Sequence, residues 1–134
     1  MKNPFVIFGI PPVFDIDLTE LARYYRTLAS SHHPDRGGDA ITMEDINVAY
    51  NTLKNPIKRA RALIELHGIT IADDEILTDP TILEEIFELR MQDDKKVAQQ
   101  KQQEALQNFK NAITSNQTTT IQHAYWRLLY LHTL

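Results

Sequence analysis

Residues 32–39, His-His-Pro-Asp-Arg-Gly-Gly-Asp, hold one proline, two glycines and no apolar side chain, and they separate two stretches of helical periodicity. A helix cannot run through such a segment, because proline pushes the residue before it out of the α region. Upstream, Leu18, Leu21, Tyr25 and Leu28 recur at helical spacing behind Asp17 and Glu20, which are placed as cap and third residue of a capping box. Downstream, Met43, Ile46, Tyr50 and Leu53 mark a second apolar face, with Asp39 as the expected cap. Two amphipathic helices with one stripe each, joined by a short loop, bury those stripes by packing antiparallel. The first half of the chain is therefore predicted to be a helical hairpin.

The same reading extends to both sides. Pro4 to Ile10 is a short apolar run that Gly9 and Pro11-Pro12 interrupt, with room for one short helix. Asn55-Pro56 ends the second long helix. A further helix carries Ile57, Ala60, Leu63 and Ile64 and stops at His67-Gly68, with glycine in the C′ position. Residues 69–79 read as an acidic connector, and Asp79-Pro80 opens the next helix as cap and first turn. In that helix Ile82, Ile86 and Leu89 share one face, while Leu83, Phe87 and Met91 lie on an adjoining face flanked by Glu84 and Glu88. The apolar arc is wider than the ~100° stripe of a one-sided surface helix, so the second face is buried in a small bundle or meets a partner. A polar stretch runs from Gln92 to Glu104, and Leu106, Phe109 and Ile113 resume a helical period. After a polar break from Ser115 to Thr120, Ile121, Ala124, Tyr125, Leu128 and Leu131 form the last apolar face, leaving Trp126 and Tyr130 on another side. No strand and no repeat is legible, and the fold class is all-α.

Composition narrows the chemistry. With 134 residues the chain suits one ordinary domain or two very small ones. The absence of cysteine excludes disulfides, thiolate metal sites and a cysteine nucleophile. No window approaches the roughly 18 apolar residues of a membrane span, and the opening residues do not read as a signal peptide, so a cytoplasmic protein is expected. A net charge of −4 argues against nucleic-acid binding. Charge is uneven: residues 1–68 balance eight basic against eight acidic side chains, whereas residues 69–134 carry six basic and ten acidic. The two halves are expected to meet different partners. Gly37-Gly38 lacks the spacing and the lysine of a phosphate-binding loop, and His33 and Asp35 flank a proline with no nucleophile beside them. No enzymatic activity and no cofactor are expected. A metal site built from His32, His33, His67 and His123 is the remaining rival, poorly motivated by spacing.

The tripeptide His33-Pro34-Asp35 between two amphipathic helices, the first carrying Arg23 and Arg26 and the second ending at Asn55-Pro56, resembles the J-domain. Proline presents its neighbours rigidly, Asp35 offers a carboxylate suited to an arginine fork, and Arg23 and Arg26 supply a basic stripe. The resemblance implies docking on a DnaK-class ATPase and stimulation of ATP hydrolysis there. The stretch from Pro56 to Gly68, with its Arg-Ala and Leu-His-Gly pieces, and the segment from Asp79 to Arg90, with its Glu-Leu-Arg, resemble the HscB co-chaperones of iron–sulfur cluster assembly. That resemblance implies an HscA/DnaK-type chaperone bound through His33, Pro34, Asp35, Arg23 and Arg26. It also implies an IscU-type scaffold bound through Leu83, Glu84, Phe87, Glu88, Met91 and Tyr130. Glu84 departs from the family pattern, which has an apolar methionine there. The expected protein is a monomer of J-domain (1–70), linker (71–78) and C-terminal three-helix scaffold-binding domain (79–134), L-shaped. The alternative is a J-domain co-chaperone delivering a different client.

Overall fold

The computed structural model describes residues 3–31, 41–71 and 80–134. Among them every regular element is helical: α1 (Pro4–Phe8), α2 (Leu18–Ser31), α3 (Met43–Lys54), α4 (Pro56–Leu66), α5 (Pro80–Gln92), α6 (Lys95–Ser115) and α7 (Thr118–Leu131). The chain forms two compact units, residues 1–63 and 64–134, and α4 crosses the division between them.

In the first unit α2 and α3 pack together and α1 packs on both, chiefly on α3. Asn3 caps α1 with its side chain, and Gly9, at φ 65°, closes it in the left-handed conformation. Asp17 caps α2 as its spacing suggests, accepting from Thr19 N at 2.9 Å and Glu20 N at 3.2 Å. Glu20 does not complete the box; its carboxylate pairs instead with Arg23. Leu21 is buried and Tyr25 and Leu28 are half-buried, but Leu18 is exposed. A helical side chain leans over the turn before its own, and at the first position of α2 that turn is missing. Phe8, Tyr50 and Tyr25 join α1, α3 and α2 by ring contacts, the two tyrosines stacked with centroids 4.4 Å apart.

The cap expected at Asp39 stands at Thr42. Its hydroxyl accepts from Asp45 N, and the Asp45 carboxylate accepts from Thr42 N, a reciprocal box that outweighs the sequence signal of a single aspartate. Asn55 ends α3 and caps α4 at once, accepting from Ile57 N and Lys58 N, with Pro56 in the first turn. Gly68, at φ 76°, ends α4 as expected, and the Ile69 N–H donates back to Ile64 O.

In the second unit α6 and α7 lie along each other and α5 packs on α7. The polar stretch before Leu106 is helical from Lys95, because Asp93 turns the chain at φ 51° and Asp94 caps α6 through Lys96 N and Val97 N. The break before α7 spans only two residues, since Asn116 adopts the left-handed conformation and Gln117 already stands at the cap position. Ile82, Ile86, Leu89, Ala105, Phe109, Ala112, Ile121, Ala124, Tyr125, Leu128 and Leu131 are the buried apolar residues of α5, α6 and α7.

Candidate functional site

Helix α5 separates its two apolar faces cleanly. Ile82, Ile86 and Leu89, at i, i+4 and i+7, are buried. Leu83, Phe87 and Met91, at i, i+4 and i+8, are 43%, 66% and 71% exposed. Three large apolar side chains stacked along one helix flank, outside the core, form a contiguous ridge rather than scattered surface residues. Glu84 and Glu88 border the ridge on one side, both exposed. On its other side Arg90 reaches Thr133 Oγ1 at 3.4 Å. Five of the six residues expected to meet the scaffold thus stand together on α5. Tyr130 stands on α7, half-buried, its ring 6.2 Å from that of Trp126, which is itself half-buried and tilted against Tyr125.

The ridge is held by an ion network that local periodicity does not reveal. Arg127 of α7 is 12% exposed at its side chain and grips Glu85 of α5 with both arms, Nε to Oε1 at 2.7 Å and Nη2 to Oε2 at 3.0 Å. The same Nη2 donates to Glu104 Oε1 of α6 at 3.0 Å. One guanidinium therefore ties three helices, and the fork geometry fixes the rotation of α5 about its axis. Hydrogen bonding to Arg127 holds the Glu85 carboxyl below its usual range, against an opposing effect of burial. The pair lies 42 residues apart in sequence, so no spacing rule could have found it.

In the first unit, Arg23 and Arg26 are exposed on α2, Arg23 paired with Glu20 and lying over the Tyr24 ring at 5.5 Å. His33, Pro34 and Asp35 lie outside the described residues. Arg59 of α4 was missed by sequence reasoning as a separate feature. It is 8% exposed, donates from Nη1 to Leu53 O at 2.8 Å and lies 4.6 Å over the Phe14 ring. It locks the Asn55-Pro56 joint to the segment before α2, and burial pulls its pKa down from the usual arginine range. Among the described residues no group of three or more histidines, aspartates or glutamates could hold a metal ion, and no helix is long and apolar enough to cross a membrane. His32 and His33 fall outside those residues.

No family model matches the chain. The HscB co-chaperone homologue of Neisseria meningitidis is 44% identical over 78 residues, covering 52% of this chain and 47% of that protein. The matched region thus spans about half the length of this curated relative. Solved structures extend the likeness along the chain. Chaperone HscB from Vibrio cholerae superposes with a TM-score of 0.77 at 25% identity, covering 98% of this chain and 92% of its own. Human co-chaperone HscB matches with a TM-score of 0.80 at 23% identity, covering 99% of this chain and 78% of its own, which speaks for the fold. In sequence and in fold the chain resembles HscB-type co-chaperones, a J-domain followed by a helical bundle.

Proposed function

We propose that this chain is an HscB-type J-domain co-chaperone. It stimulates the ATPase of an HscA/DnaK-type chaperone and delivers an IscU-type scaffold to it during iron–sulfur cluster assembly. The observation that carries the reading is the near full-length structural match to Vibrio cholerae HscB at 25% identity. The exposed ridge of α5 supports it, because a fold with a complete core beneath Ile82, Ile86 and Leu89 has no internal use for Phe87 or Met91.

The division of labour is bivalent. The J-domain (1–70) meets the ATPase through His33, Pro34, Asp35, Arg23 and Arg26, and beyond the linker (71–78) the C-terminal domain (79–134) holds the scaffold. Leu83, Glu84, Phe87, Glu88, Met91 and Tyr130 make up the scaffold face. This chain brings the client within reach of the ATPase, and hydrolysis on the partner locks it there. Tethering acts by effective concentration: a scaffold held on the same chain that docks the chaperone meets it at a concentration set by the linker. The protein acts as an adaptor in the cytoplasm, performs no catalysis and carries no cofactor. The decisive test titrates the full chain with an IscU-type scaffold from the same organism, alongside Phe87→Ala. Binding that Phe87→Ala weakens at least about tenfold supports the reading, as loss of an aromatic anchor costs on the order of 2 kcal/mol. No binding by the unaltered chain, with ATPase stimulation intact, leaves a J-protein with another client.

A further inference from the structure

We infer that Glu20 tempers docking on the chaperone ATPase by competing, within α2, for the Arg23 guanidinium that an acidic partner surface must engage. The inference rests on the chaperone-binding reading above and names the residue of this chain that sets the strength of that contact.

Helix α2 carries only two cations, Arg23 and Arg26, both exposed and about one turn apart. Carboxylates on a partner are the natural answer to two exposed guanidinium groups. The two arginines are not equivalent. Arg23 donates from Nη2 to Glu20 Oε2 and lies over the Tyr24 ring, 5.5 Å from its centroid. Arg26 has no ion-pair partner among the described residues. Glu20 stands three positions before Arg23, and Arg26 three positions after it. The ion pair therefore draws one guanidinium towards the start of α2, away from the other and from the end of the helix, beyond which His33-Pro34-Asp35 follow in sequence.

The Glu20 carboxylate has another place open to it. Asp17 caps α2 through Thr19 N and Glu20 N, and a glutamate at the third position commonly reaches back to complete a capping box. Here it turns to Arg23 instead. Both side chains reach solvent, so the contact is weak and reversible, biasing an equilibrium by about fivefold at most. A partner carboxylate that takes Arg23 first breaks that pair, whereas one that takes Arg26 breaks none. Arg26 is accordingly the stronger anchor, and Arg23 becomes its equal only when Glu20 is removed.

The test follows stimulation of a DnaK-class ATPase from the same organism by the full chain, at low and high salt. It reads the chain concentration that gives half-maximal turnover for the unaltered protein, Glu20→Gln, Arg23→Gln, Arg26→Gln and the double variant at positions 20 and 23. Glu20→Gln is expected to lower that concentration about two- to fivefold at low salt. The gain is expected to vanish at high salt and in the Arg23→Gln background. Arg23→Gln alone should raise the concentration less than Arg26→Gln does. An acidic residue in the first turn favours the helix, so Glu20→Gln should melt slightly earlier by circular dichroism, and tighter docking by a less stable helix cannot come from better folding. No gain from Glu20→Gln overturns the inference. So does a gain of the same size with and without Arg23, because Glu20 then acts as a bare charge. If neither arginine variant alters stimulation by a chain that does stimulate, α2 is not the docking stripe and that site reading falls with the inference. No stimulation by the unaltered chain overturns the proposed function and the inference together.

Discussion

At the scale of single residues, two arginines do work that their sequence neighbours do not announce. Arg127 satisfies two carboxylates from two other helices, and Arg59 spans a backbone carbonyl and an aromatic face. Removing Arg127 leaves Glu85 half-buried without its fork, and Arg127→Ala is expected to cost the C-terminal unit about 2 kcal/mol in denaturant titration. The acid limb of stability carries the same signature. Because Glu85 is held below its ordinary value of 4.5, its contribution is complete above that pH. It is lost as pH falls through the lowered value, since protonation then breaks the fork. Thermal unfolding between pH 7 and pH 3 should show a steeper acid loss in the unaltered chain than in Arg127→Met. Equal slopes would mean that the pair adds nothing. Neither arginine's role was legible in the sequence, because each depends on contacts that only chain folding brings together.

Among the elements, the caps and breaks decide where each helix stops. Gly68 ends α4 at φ 76°, and a Cβ built there meets nothing within 4 Å. The cost of Gly68→Ala is therefore conformational rather than steric crowding by neighbours. It should amount to about 1 kcal/mol, with Gly68→Asn milder, as a comparison of melting temperatures would show. Equal stability of all three would place the glycine outside any strained requirement. Most helix limits were readable because they rest on local rules: proline after the break, asparagine or aspartate at the start, glycine at the end. The exceptions share one cause. Thr42 in place of Asp39, and the start of α6 at Lys95 within the stretch that reads only as polar from Gln92 to Glu104, both depend on side chains whose capping competes with equally plausible neighbours. A polar stretch such as Lys95 to Glu104 becomes helical because packing further along the same helix, at Ala105 and Phe109, sustains it.

For the whole molecule, the proposed bivalency makes a prediction that neither site makes alone. Asp35→Asn should abolish ATPase stimulation and leave scaffold affinity within about twofold, and Phe87→Ala should do the reverse. An equimolar mixture of the two variants should fail to restore scaffold-enhanced ATP turnover, because tethering requires both sites on one chain. Recovery by mixing would show that the two activities need no physical link. The sequence by itself determined an all-α chain, the order of its helices and the presence of two apolar faces on α5, since periodicity and breaker residues act over a few positions. Which of those faces would be covered was left to the tertiary structure. Burial is conferred by whatever lies opposite, and here α5 packs on α7, tied to it by the Arg127 fork, with Ile82, Ile86 and Leu89 buried and Leu83, Phe87 and Met91 left to the solvent.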